Sequence, residues 1–205
     1  EVGDPLFGKM SLCPNLLSSA LGGDSGLNER ELRLTWSAVS EINQAGAAVT
    51  AIKRTFERGR GWVYLWGQPG LGKTLILTVA IAETIRSGRP GVYARMADIL
   101  DDLRKGFGDE QPKGEEQRRL DRWASLPLLA IDELDRVRSS EYSDEKRFAL
   151  LDRRYQAALR GNSITLLASN RDPRGFDDYL TSRIFDGRFS VVKLAGSDVR
   201  PIAEW

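Results

Sequence analysis

The chain has 205 residues, 41% of them hydrophobic and 29% charged, with a formal net charge of +1. That length suits one α/β domain, and the near-neutral balance gives no chain-wide signature for nucleic acid or membrane surfaces. One cysteine, Cys13, and no histidine exclude an intrachain disulfide, a histidine general base and a Cys/His zinc site.

Such cysteine usage suits a reducing cytoplasm. No secretory signal is visible, and no apolar run nears the ~18 residues needed to cross a membrane.

Residues 1–28 are rich in Gly and Pro and read as a loop-rich arm. Within it Leu12, Leu16, Leu17 and Leu21 fall at helical spacing, so a short docking helix and a poorly ordered terminus are both open readings. Residues 29–58 read as helical. Asn28 with Glu31 three residues on has the form of a capping box. Leu32, Trp36, Val39 and Ile42 share one helical face, Gly46 interrupts, and Val49, Ile52 and Phe56 resume the stripe. Plain core packing is the better reading of each of these side chains, and a wall for a ligand pocket is the sharper one.

Trp62-Val63-Tyr64-Leu65-Trp66 reads as a strand. It leads into Gly67-Gln68-Pro69-Gly70-Leu71-Gly72-Lys73-Thr74, which fits G-x-x-x-x-G-K-[ST], the phosphate-binding P-loop. Glycines let the backbone wrap and aim N–H groups at phosphate oxygens. Lys73 can reach the β- and γ-phosphates, and the Thr74 hydroxyl can ligate Mg²⁺. Thr74 to Glu83 reads as the helix that follows, whose N-terminus favours anions.

Gly88-Arg89-Pro90-Gly91 is a turn, Val92–Arg95 a strand and Ala97–Lys105 a helix. Residues 106–119 are polar and turn-rich with alternating charge, and read as a solvated loop. The sharper alternative is a mobile loop that contacts DNA or a partner. Pro127 to Glu133 has the form of a buried parallel strand ending in Asp132-Glu133, at the strand end where α/β sheets bind ligands. Asp132 would hold the Mg²⁺ shell, and Glu133, in a chain without histidine, would polarise the attacking water.

Glu141–Arg160 reads as a long helix, and Ser163–Ser169 as another buried strand. Asn170 follows it, either as a polar group beside the γ-phosphate or as simple turn chemistry. Phe176–Phe185 reads as a short helix and Phe189–Leu194 as the last strand, with Arg183 and Arg188 around that junction. Too few residues follow Leu194 for a helical lid. Two regions are expected: an arm over 1–28 and an ATPase domain over 29–205.

The segments GQPGLGKT, LLAIDE, LLASN and LTSRIFDGR resemble AAA+ ATPases. More narrowly, the chain is similar to the DnaC/DnaI-type bacterial helicase loaders and to IstB, the transposition helper. The narrower features are IDE, the run ALLDRRY at Ala149–Tyr155, Gly196-Ser197-Asp198-Val199-Arg200 and the missing lid. The resemblance covers roughly residues 29–202.

It implies a three-layer P-loop fold with a parallel five-stranded sheet ordered 5-1-4-3-2, binding ATP or ADP with Mg²⁺. It makes Gly67–Thr74 Walker A, Asp132 and Glu133 Walker B, and Asn170 sensor 1. Arg183 becomes the arginine finger that reaches a neighbour's ATP, with Arg188 its rival, and Arg200 stands near sensor 2. It also implies a homo-oligomer with ATP, acting on DNA, single-stranded in preference, with a replicative helicase as partner. An IstB-like helper would instead bind duplex DNA and recruit a transposase. A small-molecule P-loop kinase would need an acceptor pocket and arginines from a lid in cis. Full-length loaders carry an amino-terminal helicase-binding module, often zinc-bound, which residues 1–28 are too short to supply.

Overall fold

Layering follows from how side chains alternate along the strands. In the computed structural model, which describes residues 22–40, 42, 45–106, 112, 114–161 and 163–199, the helices are α1 (Glu29–Leu32), α2 (Ala45–Arg58), α3 (Lys73–Arg86), α4 (Met96–Arg104), α5 (Glu115–Ser125), α6 (Glu141–Arg160) and α7 (Asp178–Ile184). The strands are β1 (Gly61–Trp66), β2 (Val92–Arg95), β3 (Leu128–Asp132), β4 (Ile164–Ser169) and β5 (Ser190–Lys193). Val63 and Leu65 of β1 pack with Ala48 and Ile52 of α2 and with the buried face of α3, while Trp62 and Tyr64 pack on the opposite side with α4, α6 and α7. The result is three layers, helices on both faces of one sheet.

The sheet runs β2-β3-β4-β1-β5, every pair parallel, as expected. β3 and β4 are buried along their whole length, which is why they read as unbroken apolar runs. This order sets the carboxyl ends of β1, β4 and β3 side by side.

Two expectations are corrected. Residues 29–58 are not one interrupted helix. The Asn28–Glu31 capping box forms, with Glu31 Oε2 accepting from the Asn28 N–H at 2.8 Å, but α1 lasts a single turn. Arg86 of α3 takes the Leu32 and Leu34 carbonyls at 3.2 and 2.7 Å, so these acceptors need no continuing helix. Thr35 is extended, and Trp36–Val39 is only a 3₁₀ turn. Gly46 interrupts nothing; it sits in the first turn of α2 with open space where a Cβ would be.

The second correction concerns residues 106–119, whose last part is helical. Glu115 pairs with Arg118 and Arg119 at 3.1 and 2.9 Å. Arg119, Arg122 and the Trp123 indole converge on Asp102 of α4 at 2.6, 3.1 and 2.9 Å. Alternating charge here encodes pairs along and between helices. Arg154 of α6, fully buried, ties α5 down. Its guanidinium donates to the carbonyls of Trp123, Ala124, Leu126 and Ile164 and to Thr165 Oγ1, at 2.6–3.2 Å. Burial without a carboxylate lowers its pKa to about 9.

The docking helix expected near Leu12–Leu21, Cys13 and Arg200 lie outside the described residues.

Candidate active site

The glycine loop between β1 and α3 has the backbone that its glycines permit. Gly67 has φ 147°, and a Cβ there would fall 2.4 Å from the Leu194 carbonyl oxygen. Gly72, the N-cap of α3, is left-handed at φ 77° with Ile42 pressed against it. A side chain at either would clash and be strained. Lys73 opens α3 and folds back, its Nζ donating to the Gly67 and Gln68 carbonyls at 2.7 and 2.8 Å. Burial holds its pKa below the ordinary lysine value, against the raising effect of Asp132 and Asp135. Such a caged ammonium is held at a helix N-terminus, where phosphate oxygens are favoured.

Asp132 ends β3. Its Oδ2 accepts from Thr74 Oγ1 at 2.6 Å and from the Tyr93 hydroxyl at 2.9 Å; its Oδ1 accepts from the Glu133 N–H at 2.8 Å. Glu133 has φ 52°, alone among the described non-glycine residues in having a positive φ. Such backbone strain is typical of functional turns. The turn buries Leu134, whose N–H bonds the Ala168 carbonyl at 3.1 Å. The Glu133 carboxylate meets Arg136 at 3.2 Å.

These groups border one cavity of about 580 Å³, lined by Pro69, Gly70, Gly72, Lys73, Thr74, Asp132, Glu133, Arg136, Ser169 and Asn170. Its far wall comes from α1 and the residues flanking it: Asn28, Arg30, Glu31 and Leu34. Leu71 turns away into the core. The sequence-predicted Lys73, Thr74, Asp132, Glu133 and Asn170 are thus brought together, while Arg183 is not among them. It lines a second cavity of about 390 Å³, its guanidinium 4.3 and 4.2 Å from the Tyr155 and Tyr179 ring centroids and donating to the Tyr179 hydroxyl at 2.9 Å. Arg188 is tied to Asp186 and Tyr155.

The family description IstB-like ATP binding protein matches residues 43–181, which contain the loop, Asp132-Glu133 and Asn170. The chain belongs to the IstB-like ATP-binding proteins. It is similar to the chromosomal replication initiator protein DnaA of Corynebacterium jeikeium, 24% identical over 189 residues, covering 89% of this chain and 31% of that protein. It spans about a third of the length of the curated relatives it matches.

Among solved structures, a DnaA bound to AMPPCP and single-stranded DNA superposes with a TM-score of 0.66 at 23% identity, over 83% of this chain and 51% of that one. A DnaC helicase loader superposes with a TM-score of 0.65 at 18% identity, over 82% of this chain and 100% of that one. The fold is the AAA+ core that the motifs imply.

Sequence reasoning missed Tyr93, Asp135 and Arg136. Tyr93 looked like one more apolar strand residue, and Asp135 and Arg136 looked like surface charge after a strand. The one sequence signal is position, and it covers only Asp135 and Arg136, which lie just past the carboxyl end of a parallel strand.

Proposed function

We propose that this chain binds ATP with Mg²⁺ and hydrolyses it by in-line attack of water. The observation that carries the reading is the single cavity that joins Lys73, Thr74, Asp132, Glu133 and Asn170. The residues fit a magnesium ion. Thr74 Oγ1 and an Asp132 oxygen, both hard donors, lie 2.6 Å apart, and no cluster of three His, Cys, Asp or Glu among the described residues forms a protein-only cage. Mg²⁺ takes few protein ligands and completes its shell with water and phosphate. When bound it would neutralise charge on the β- and γ-phosphates.

Lys73 then transfers its bonds from the loop carbonyls to phosphate oxygens. Glu133 leaves Arg136 to accept a proton from the attacking water, and Asn170 holds that water in line. Arg183, remote from its own cavity, acts on a neighbouring subunit's ATP in a homo-oligomer. Arg200 belongs to the sensor 2 segment. Residues 29–205 are the ATPase domain and residues 1–28 an arm, working in the cytoplasm; no helix among the described residues is long and apolar enough to cross a membrane.

The task served is loading a replicative helicase onto single-stranded DNA. The fold shared with a DnaC helicase loader and with a DnaA that binds single-stranded DNA supports this. A second reading, a transposition helper on duplex DNA that recruits a transposase, is favoured by family membership.

ATP turnover measured alone, with single-stranded and with duplex DNA, tests both. Glu133→Gln should bind ATP like the parent and lose turnover at least ~100-fold. Stimulation by single strands supports the loader and stimulation by duplex the helper. Turnover that survives in Glu133→Gln would remove Glu133 as the base.

A further inference from the structure

Asp135 lies two residues beyond Glu133, on the far side of the strained turn. It does not line the nucleotide cavity, so it cannot touch the reacting atoms. Yet both of its oxygens are spent on the end of β4. Oδ1 accepts from Ser169 Oγ at 2.8 Å and from the Asn170 N–H at 2.9 Å; Oδ2 accepts from Asn170 Nδ2 at 3.4 Å. The contacts continue outward: Ser169 Oγ also accepts from the Arg171 N–H at 3.0 Å, and the Arg171 carbonyl accepts from the Tyr64 hydroxyl at 2.9 Å. Burial pushes the Asp135 carboxyl up, but the bonds from Asn170 and Ser169 outweigh it and leave the pKa below the usual value. Asp135 is therefore an ionised, acceptor-only group.

We propose that Asp135 is a positioning residue for ATP hydrolysis, fixing the Asn170 side-chain amide so that its oxygen, not its nitrogen, serves the attacking water. This rests on the role of Asn170 given above. The physical basis is the polarity of the contact. A carboxylate can only accept, so the amide nitrogen must face it, and Oδ1 is the end left for the cavity that Asn170 lines. An attacking water has two protons. Glu133 accepts one, and an amide oxygen accepts a hydrogen bond from the other, which aligns the lone pair on phosphorus. An inverted amide would present a donor to a donor. Asp135 also explains why the chain turns at Glu133: the turn that aims Glu133 at the cavity brings Asp135 against β4. Base and water-positioner are thereby mounted on one hydrogen-bonded corner.

The test is a double-mutant cycle of Asp135→Asn and Asn170→Ala. Asparagine keeps the shape and one acceptor but can set an amide nitrogen against that of Asn170, favouring inversion. In the parent background Asp135→Asn should lower kcat ~10-fold with KM and the affinity for AMPPCP within ~2-fold, since Asp135 does not line the cavity. With Asn170→Ala already present, it should change kcat less than ~2-fold, because the group it acts through is gone. A merely structural Asp135 would lower melting temperature and slow both backgrounds alike; that additivity, with Asn170→Ala itself slow, overturns the proposal alone. Parental kcat in Asn170→Ala overturns the proposal and the role of Asn170 together. Should Asp135→Asn not fold, Asp135→Ala completes the same cycle.

Discussion

Substituting Lys73 with methionine separates nucleotide binding from folding. Lys73 is only 7% exposed, and methionine keeps most of its volume while removing the charge. In the unliganded protein two effects oppose each other. The bonds to the Gly67 and Gln68 carbonyls are lost, but so is the cost of a buried ammonium, which the lowered pKa records. The net change should stay within ~1 kcal/mol, equivalent to ~2–4 °C in Tm for a chain of this length. Saturating ATP·Mg²⁺ protects only a protein that binds it, by ~2.7 kcal/mol at a hundredfold excess over Kd. At ~2–4 °C per kcal/mol, the parent should melt ~5–11 °C higher with nucleotide and Lys73→Met should not move. Thermal scanning with and without ATP·Mg²⁺ reads both numbers. Equal nucleotide shifts in the two proteins would refute the assignment of Lys73 to the phosphates.

Two further outcomes are expected. Tyr93→Phe deletes the hydroxyl that donates to Asp132 Oδ2; orienting groups of this kind change metal affinity ~10-fold or more. The Mg²⁺ concentration that half-restores nucleotide protection should rise accordingly, and an unchanged midpoint would make Tyr93 a core residue only. Arg183→Ala should bind ATP normally and lose turnover. Mixed with Lys73→Met in assemblies shown to contain both, it should recover activity, since an arginine supplied in trans contributes ~10³–10⁵ in rate. No recovery at any mixing ratio would exclude it and move the same test to Arg188.

The strands were legible because parallel strands buried on both faces leave unmistakable runs, as at Leu128–Asp132 and Ile164–Ser169, whereas their order came only from the AAA+ resemblance. The long helix Glu141–Arg160 announced itself through Phe148, Leu151, Tyr155 and Leu159 at helical spacing, and its bounds are those expected. α5 was not legible, since few apolar residues mark it and its stability comes from ion pairs made with Asp102 of another helix. The break after α1 was hidden for a related reason. The stripe Leu32-Trp36-Val39-Ile42 has a helix period, and only the reach of Arg86 from α3 shows why the helix stops.

The same division runs through the site. Residues whose place is set by chain neighbours were readable: the glycine loop, Lys73 and Thr74 at one helix start, and Asp132-Glu133 at one strand end. Those whose role is set by a bond across the sheet were not. Tyr93 reaches Asp132 from β2, and Asp135 reaches Asn170 from beyond β3. Both are ordinary in sequence and acquire meaning only because β2-β3-β4 are adjacent. Arg183 lies between these cases. Its segment is readable, but its side chain rests between two tyrosine rings, with Nε buried and unpaired among the described residues. Each cation–π contact is worth ~0.5–2 kcal/mol. On the proposed trans role, serving a neighbour's ATP would give up some of that, so leaving the resting position costs energy that a bound nucleotide across the interface would repay. On that same proposal hydrolysis in an isolated protomer should be slow for two separable reasons, Glu133 paired with Arg136 and Arg183 stacked on its own tyrosines.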